Sequence, residues 1–131
     1  MPEGPEIRRT ADRIAEILVG QRVDDVWFGL DRLKPFAGTL RGCRVTAVDT
    51  RGKALLIRFD GGLTLYAHNQ LYGRWYVCRR GERPRTGRSL RVALHTAEDS
   101  ALLYSASDIA VLSTDDERTH PFLSRLGPDV L

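Results

Sequence analysis

A chain of 131 residues is enough for one compact core and too short for two full-sized domains. Its apolar share of 42% is ordinary for a globular protein, and no apolar run approaches the roughly 18 residues of a membrane span, so membrane crossing by a helix is excluded. The start, MPEGPEIRRT, is acidic and prolyl where a secretory leader has a basic segment and an apolar run, so a cytoplasmic location is expected.

The first predicted element is a helix over Pro5–Gly20. Ile7, Ala11, Ile14 and Leu18 recur at helical spacing, with Arg8, Arg9, Asp12, Arg13 and Glu16 on the other face. Pro5 suits a first helical turn and Gly20 a C-terminal cap. From Arg22 the pattern changes to short β-like runs: Val23–Phe28, Arg44–Thr50, Ala54–Phe59, Leu63–His68, Arg74–Arg79, Ser89–Leu94, Ala101–Tyr104 and Ile109–Leu112. Turns are expected at Arg51-Gly52, Asp60-Gly61-Gly62, Gly81 with Pro84, Gly87 and Glu98-Asp99-Ser100. Many short strands at regular spacing point to an antiparallel sandwich or barrel, here preceded by one helix. Residues 120–129 have little β pattern and read as a short helical turn leading into a linker; there is no repeat and no low-complexity tract.

Charge and cysteine usage decide little by themselves. Cys43 and Cys78 stand far apart without C-x-x-C spacing, so neither a zinc site nor a disulfide framework is indicated; two buried thiols are expected, a single bridge being the alternative. Net charge is +3, yet from Arg74 to Arg91 there are seven arginines against one acid, Glu82. That segment is either a phosphate-facing surface or a solvated hairpin loop, and on charge alone the second is the simpler reading.

Three short segments carry chemistry. If Met1 is removed, Pro2 presents a secondary amine beside Glu3 and Glu6. An α-amino group, with an ordinary pKa of about 7.7–8.0, is partly unprotonated at neutral pH and nucleophilic. Such an amine can displace a base at a sugar's C1′ and, as the iminium, promote β-elimination of the phosphate, with a neighbouring carboxylic acid such as Glu3 supplying the proton. The alternative is an acidic helix start in which Glu6 complements the helix dipole. Lys53 follows Gly52 at a turn opening an apolar strand, and it is one of two lysines among twenty basic residues. A compact ammonium can donate a proton or pin a phosphate where arginine would not serve; otherwise it is a surface lysine at a strand start. His68-Asn69-Gln70-Leu71-Tyr72-Gly73 joins an amide, an apolar wedge and an aromatic ring in one loop. Those groups can fill the gap left when a base is turned out of duplex DNA, or they can continue the core across a tight turn.

Taken together and in this order, M-P-E-G-P-E, R-G-K-A-L-L and H-N-Q-L-Y-G resemble the formamidopyrimidine-DNA glycosylase and endonuclease VIII family, the endonuclease VIII branch above all. Further matches run through Asp25–Phe28, Leu33-Lys34-Pro35, Leu102–Ile109 and His120–Leu123, so the resemblance covers the whole chain. It implies a two-layered antiparallel β-sandwich flanked by helices. It implies base excision repair by a bifunctional glycosylase/AP lyase on damaged double-stranded DNA, with oxidised pyrimidines as substrates. Pro2 would form the Schiff base, Glu3 would be the proton donor for base release, Lys53 the donor linked to β-elimination, and Glu6 would orient the sugar. Gln70, Leu71 and Tyr72 match the void-filling triplet, and Gln70 and Arg125 match DNA-contacting positions. A non-catalytic DNA-binding or interaction module derived from such an enzyme is the alternative.

The family's enzymes continue with a helix–two-turn–helix domain and usually a zinc finger, so residues 119–131 are expected to begin the interdomain linker. No metal or cofactor is expected in this chain, zinc belonging to that second domain. Weak, salt-sensitive DNA binding and low or absent activity are expected for the isolated chain. Self-association through the face that the second domain would cover, around Phe122 and Leu126, is a further expectation, as is a bacterial, nucleoid-associated setting.

Overall fold

A computed structural model describes residues 3–68, 74–87, 89–106 and 108–113, with side chains from Ile7 onward. Helix α1 spans Glu3–Leu18. Its stripe of Ile7, Ala11, Ile14 and Leu18 is buried, as the 3.6-residue spacing requires. The helix ends at Leu18, two residues before Gly20, whose φ of 82° takes the left-handed conformation that turns the chain away.

Eight strands follow: β1 Asp25–Phe28, β2 Val45–Arg51, β3 Ala54–Phe59, β4 Leu63–His68, β5 Arg74–Arg79, β6 Leu90–His95, β7 Asp99–Tyr104 and β8 Asp108–Ser113. They form two four-stranded antiparallel sheets, β1-β6-β7-β5 and β2-β3-β4-β8. Each strand alternates between the two faces of its sheet. Leu55, Ile57, Leu65 and Ala67 from one sheet and Val92, Leu94, Ala101 and Leu103 from the other fill the space between with α1 residues, in one core cluster. Helix α1 packs on β2 and on β5 and β7, closing the open side between edge strands β2 and β5. The two-layered sandwich with an N-terminal helix is the expected architecture.

Four details differ from the sequence reading. A 3-10 turn over Asp31–Leu33 and helix α2, Lys34–Leu40, pack beside β1, in a stretch where no element was expected. Only Leu33 and Leu40 are buried there, too few to show a helical period. The expected turn at Glu98-Asp99-Ser100 lies two residues earlier: Thr96 closes it, and Asp99 and Ser100 already pair with Arg79 and Cys78 in β7. Cys43 and Cys78 are free thiols as expected, without the alternative bridge, but they are half-buried rather than buried. The thiol of Cys78 contacts the carbonyl of Glu82, and burial first, then the charge of Glu82, pushes its pKa up.

The fourth concerns the arginine-rich segment, which is not a hairpin. Strands β5 and β6 flank β7 and are both antiparallel to it, so residues 80–89 must carry the chain from one end of the sheet to the other. The bond from the outward-facing Cys78 to Glu82 puts this crossover on the sheet's outer face, beside a small cluster of Ala93, Leu102 and Tyr104. Arg79, Arg83 and Arg85 are exposed, while Arg80 donates to Asp24 at 2.6 Å and to the carbonyl of Thr96.

Candidate active site

The strand register defines two ends of the sandwich. In one sheet Arg51, Ala54, His68 and Asp108 line up at one end, with Val45 and Phe59 at the other. In the second sheet Arg74, Tyr104 and Leu90 share one end, with Asp25, His95, Asp99 and Arg79 at the opposite one. Residues 69–73 join His68 to Arg74 and residues 105–107 join Tyr104 to Asp108, so the His68 end and the Arg74 end coincide.

Helix α1 is oriented by its own C-terminus. Gly20 donates to the carbonyl of Val45 and Val45 to that of Gln21, and shortly after, Asp24 donates to the carbonyl of His95. Its last turn is thereby fixed at the end opposite His68. Sixteen residues make a helix about 24 Å long, close to the length of seven-residue β2, on which it packs. Its first turn, with Glu3 and Glu6, therefore lies towards the same end as the Gly52-Lys53 turn and the 69–73 connection. Three segments that the sequence separates by about fifty and by fifteen residues are brought to one end of the sandwich.

Lys53 follows Gly52, which at φ 59° makes the tight β2–β3 turn, and it is half-buried. Its neighbour Ala54 pairs with His68, and His68 pairs with Asp108 across β4 and β8. Burial lowers the pKa of His68, the nearby Asp108 charge opposes this, and the Lys53 ammonium lowers it further. The hydroxyl of the fully buried Tyr66 faces Asp108 Oδ2 at 3.5 Å, and burial followed by that carboxylate's charge raises the phenol pKa. Lys53, His68, Asp108 and Tyr66 thus form a mixed-charge cluster at this end. Sequence reading singled out Lys53 and passed over the others; His68 heading the H-N-Q-L-Y-G motif was the available signal.

Ser105, in the β7–β8 connection, is the one non-glycine residue with positive φ among the described residues, at 67°, and its N–H is held by the carbonyl of Ser89 at 2.8 Å. Strained backbone of this kind persists where its surroundings over-determine it. The other lysine has a packing role: Lys34 Nζ donates to the carbonyl of Phe28 at 3.2 Å and lies 5.3 Å from the centre of the Trp27 ring. Pro2, Gln70, Leu71, Tyr72 and Arg125 lie outside the described residues, as do residues 119–131. Among the described residues no group of three or more metal-ligating side chains gathers, and no helix is long and apolar enough to cross a membrane.

Residues 1–109 match the model of the formamidopyrimidine-DNA glycosylase N-terminal domain. Endonuclease 8 of Salmonella schwarzengrund is 58% identical over all 131 residues of this chain and 50% of its own length, and that of Salmonella arizonae is 57% identical over the same shares. The chain thus spans about half the length of these curated relatives. Among solved structures, Lactococcus lactis Fpg (MutM) in complex with N7-benzyl-Fapy-dG DNA superposes with a TM-score of 0.77 at 15% identity, over 92% of this chain and 46% of that one. The same protein in complex with DNA containing an abasic site gives 0.77 at 17%, over 92% and 47%. At such identities these structures speak for the fold, which they share with this sandwich. The family match over most of the chain and the relatives at 57–58% identity go further: the chain belongs to the formamidopyrimidine-DNA glycosylase N-terminal domain family.

Proposed function

We propose that this chain is the catalytic half of a bifunctional DNA glycosylase/AP lyase of base excision repair, acting on damaged double-stranded DNA and removing oxidised pyrimidines. The observation that carries this reading is the convergence of the α1 start, the Lys53 turn and the 69–73 connection on one end of the sandwich. The relatives named endonuclease 8 and the Fpg–DNA complexes support the substrate class.

In this reading, removal of Met1 frees the Pro2 nitrogen. That nitrogen attacks C1′ of the damaged nucleoside as the C1′–base bond breaks, and Glu3 delivers the proton that base release and sugar opening require. The resulting iminium acidifies C2′; loss of a C2′ proton expels the 3′ phosphate, with Lys53 as the proton donor linked to this step, and water then releases Pro2. Glu6 orients the sugar. Gln70, Leu71 and Tyr72 fill the space vacated by the extruded base, and Gln70 and Arg125 contact the DNA. The exposed arginines of the crossover add screened, long-range attraction for phosphate. Residues 119–131 are, in this reading, the start of an interdomain linker, and self-association of the chain is a further part of the proposal, which sedimentation over a concentration series would read.

The test is borohydride trapping on duplex DNA carrying an abasic site or thymine glycol, with the N-terminal residue identified by mass. A covalent adduct that requires Pro2 at the terminus is expected. Absence of an adduct from chains with a free Pro2, both alone and joined to a second half, would overturn the reading and leave a non-catalytic DNA-binding module.

A further inference from the structure

Elimination needs two proton movements, and the proposed function names a group for one of them. Lys53 serves the departing 3′ phosphate, whereas the C2′ proton has to go to a base. C2′ and C3′ are adjacent carbons, so that base must stand beside Lys53. An arginine guanidinium does not give up its proton in a protein, which sets aside Arg51 and Arg74 at this end. The phenol of Tyr66 is buried with its pKa pushed up, so it keeps its proton, and Tyr104 packs edge-on against Tyr76 on the other sheet. The buried indole N–H of Trp75 has no hydrogen-bond partner and can only donate. That leaves His68 and Asp108.

The register makes those two one unit. His68 ends β4 and Asp108 begins β8, and they stand directly opposite each other. Opposed residues of an antiparallel pair leave the same face of the sheet, with Cβ atoms about 4.5–5.5 Å apart. Tyr66, two residues before His68, shares that face, and its hydroxyl reaches Asp108 Oδ2 at 3.5 Å. On its other side His68 pairs with Ala54, the residue after Lys53. The half-buried imidazole thus lies between a carboxylate and an ammonium, and burial above all favours its neutral form. A neutral imidazole keeps one nitrogen as acceptor, and a carboxylate beside the other N–H fixes which nitrogen that is. Asp108 is exposed, and a solvated carboxylate is the weaker base of the two.

We propose that His68, oriented by Asp108, is the base that takes the C2′ proton in strand cleavage. The C2′–H bond breaks, its proton passes to the imidazole, and its electron pair forms the C1′=C2′ bond as the iminium collapses to an enamine. The enamine then breaks C3′–O and expels the 3′ phosphate, to which Lys53 gives a proton. Asp108 touches no substrate and is a positioning residue. The role rests on the proposed glycosylase/lyase reading; the pairing of His68 with Asp108 does not.

The chain has three histidines, so its NMR spectrum holds three imidazole signals, assigned with H68Q, H95Q and H120Q. In D108N the titration midpoint of His68 is expected to fall, since the carboxylate that favours the protonated ring is gone, while the other two stay in place. A midpoint that does not move would overturn the proposal. On duplex DNA with an abasic site, borohydride trapping reads the Schiff base and nicking reads elimination. H68Q is expected to keep forming the trapped adduct while nicking slows about 10²-fold, the low end for a lost acid–base group. In D108N the rising limb of the nicking pH profile should shift to lower pH, in step with the His68 midpoint. Adduct and nicking that fall together in H68Q would make His68 a binding or structural residue, and nicking at the parent rate would place the base elsewhere; either outcome sinks the idea. Should H68Q fail to fold, the D108N limb decides, and an unmoved limb beside a moved midpoint overturns the role. No adduct from the parent chain, alone or joined to a second half, brings down the glycosylase reading and the base role with it, whereas an adduct with nicking indifferent to His68 brings down this inference alone.

Discussion

The two ends of the sandwich are built to different rules. The end holding Val45, His95 and Asp99 is tied by short-range bonds: Arg80 bridges Asp24 and Thr96, the Thr96 hydroxyl clasps Asp99, His95 Nδ1 and Ser100 Oγ lie 2.7 Å apart, and the exit of α1 is pinned to Val45. The opposite end gathers Lys53, His68, Asp108, a left-handed Ser105 and an unpaired indole N–H. Satisfied polar groups stabilise one end, whereas charge, strain and an unmet donor collect at the other, the distribution expected when function is mounted on a scaffold. Since both ends share one core, the contrast is a property of the loops rather than of the packing.

Substitutions can break that contrast. Under the proposed glycosylase/lyase function, the largest effect is expected from Lys53→Ala, which should slow strand cleavage after base release by about 10²–10⁴-fold, the range of a lost acid–base group, with an unchanged melting temperature. A parallel fall in melting temperature would make Lys53 structural. Next comes Gly29→Ala, where the new Cβ would stand 2.5 Å from the carbonyl oxygen of Leu90, a backbone atom that cannot step aside. A loss of about 1–3 kcal/mol in denaturant unfolding is expected; an unchanged midpoint would mean that β1 shifts freely. At the tied end, Thr96→Val removes a hydroxyl that accepts from Asp99 N–H at 3.1 Å and donates to its carbonyl at 3.2 Å, and should cost about 1–2 kcal/mol while leaving strand cleavage untouched.

The smallest expected effect is on pH dependence, and it compares one histidine from each end. Burial lowers the pKa of both below 6.5; at His95 Arg80 lowers it further and Asp25 opposes. A histidine with a depressed folded-state pKa leaves the unfolded chain to take up its proton first. Its contribution to stability is therefore present above pH 6.5 and lost as pH falls below that value towards the folded pKa. Unfolding free energy should decline from pH 7 to pH 5, and His95→Asn should flatten part of that slope. An identical slope in the variant would place the linkage elsewhere.

Much of the fold was legible because its elements are local. Ala54–Phe59, Leu63–His68 and Arg74–Arg79 are found with the bounds that alternation and flanking turn residues indicate, and the α1 stripe announces itself by period. The interleaved order β1-β6-β7-β5 was not legible, because pairing partners depend on contacts distant in sequence. For the same reason the arginine segment read as a hairpin when it is a crossover. Lys53 stood out as a lysine in an arginine-rich chain, whereas His68 and Asp108 gained meaning only from facing each other across β4 and β8.

The candidate active-site end is also where the chain steps from sheet to sheet by its shortest routes, five residues from β4 to β5 and three from β7 to β8. His68 and Arg74, and Tyr104 and Asp108, therefore stay within a few residues' reach of each other, so at this end the two sheets cannot part without breaking strand pairing. The ends of four strands from both sheets are thus held together as one edge, and a change in the length of either connection would be felt first in how β4 meets β5 or β7 meets β8, with the pairings inside each sheet left as they are.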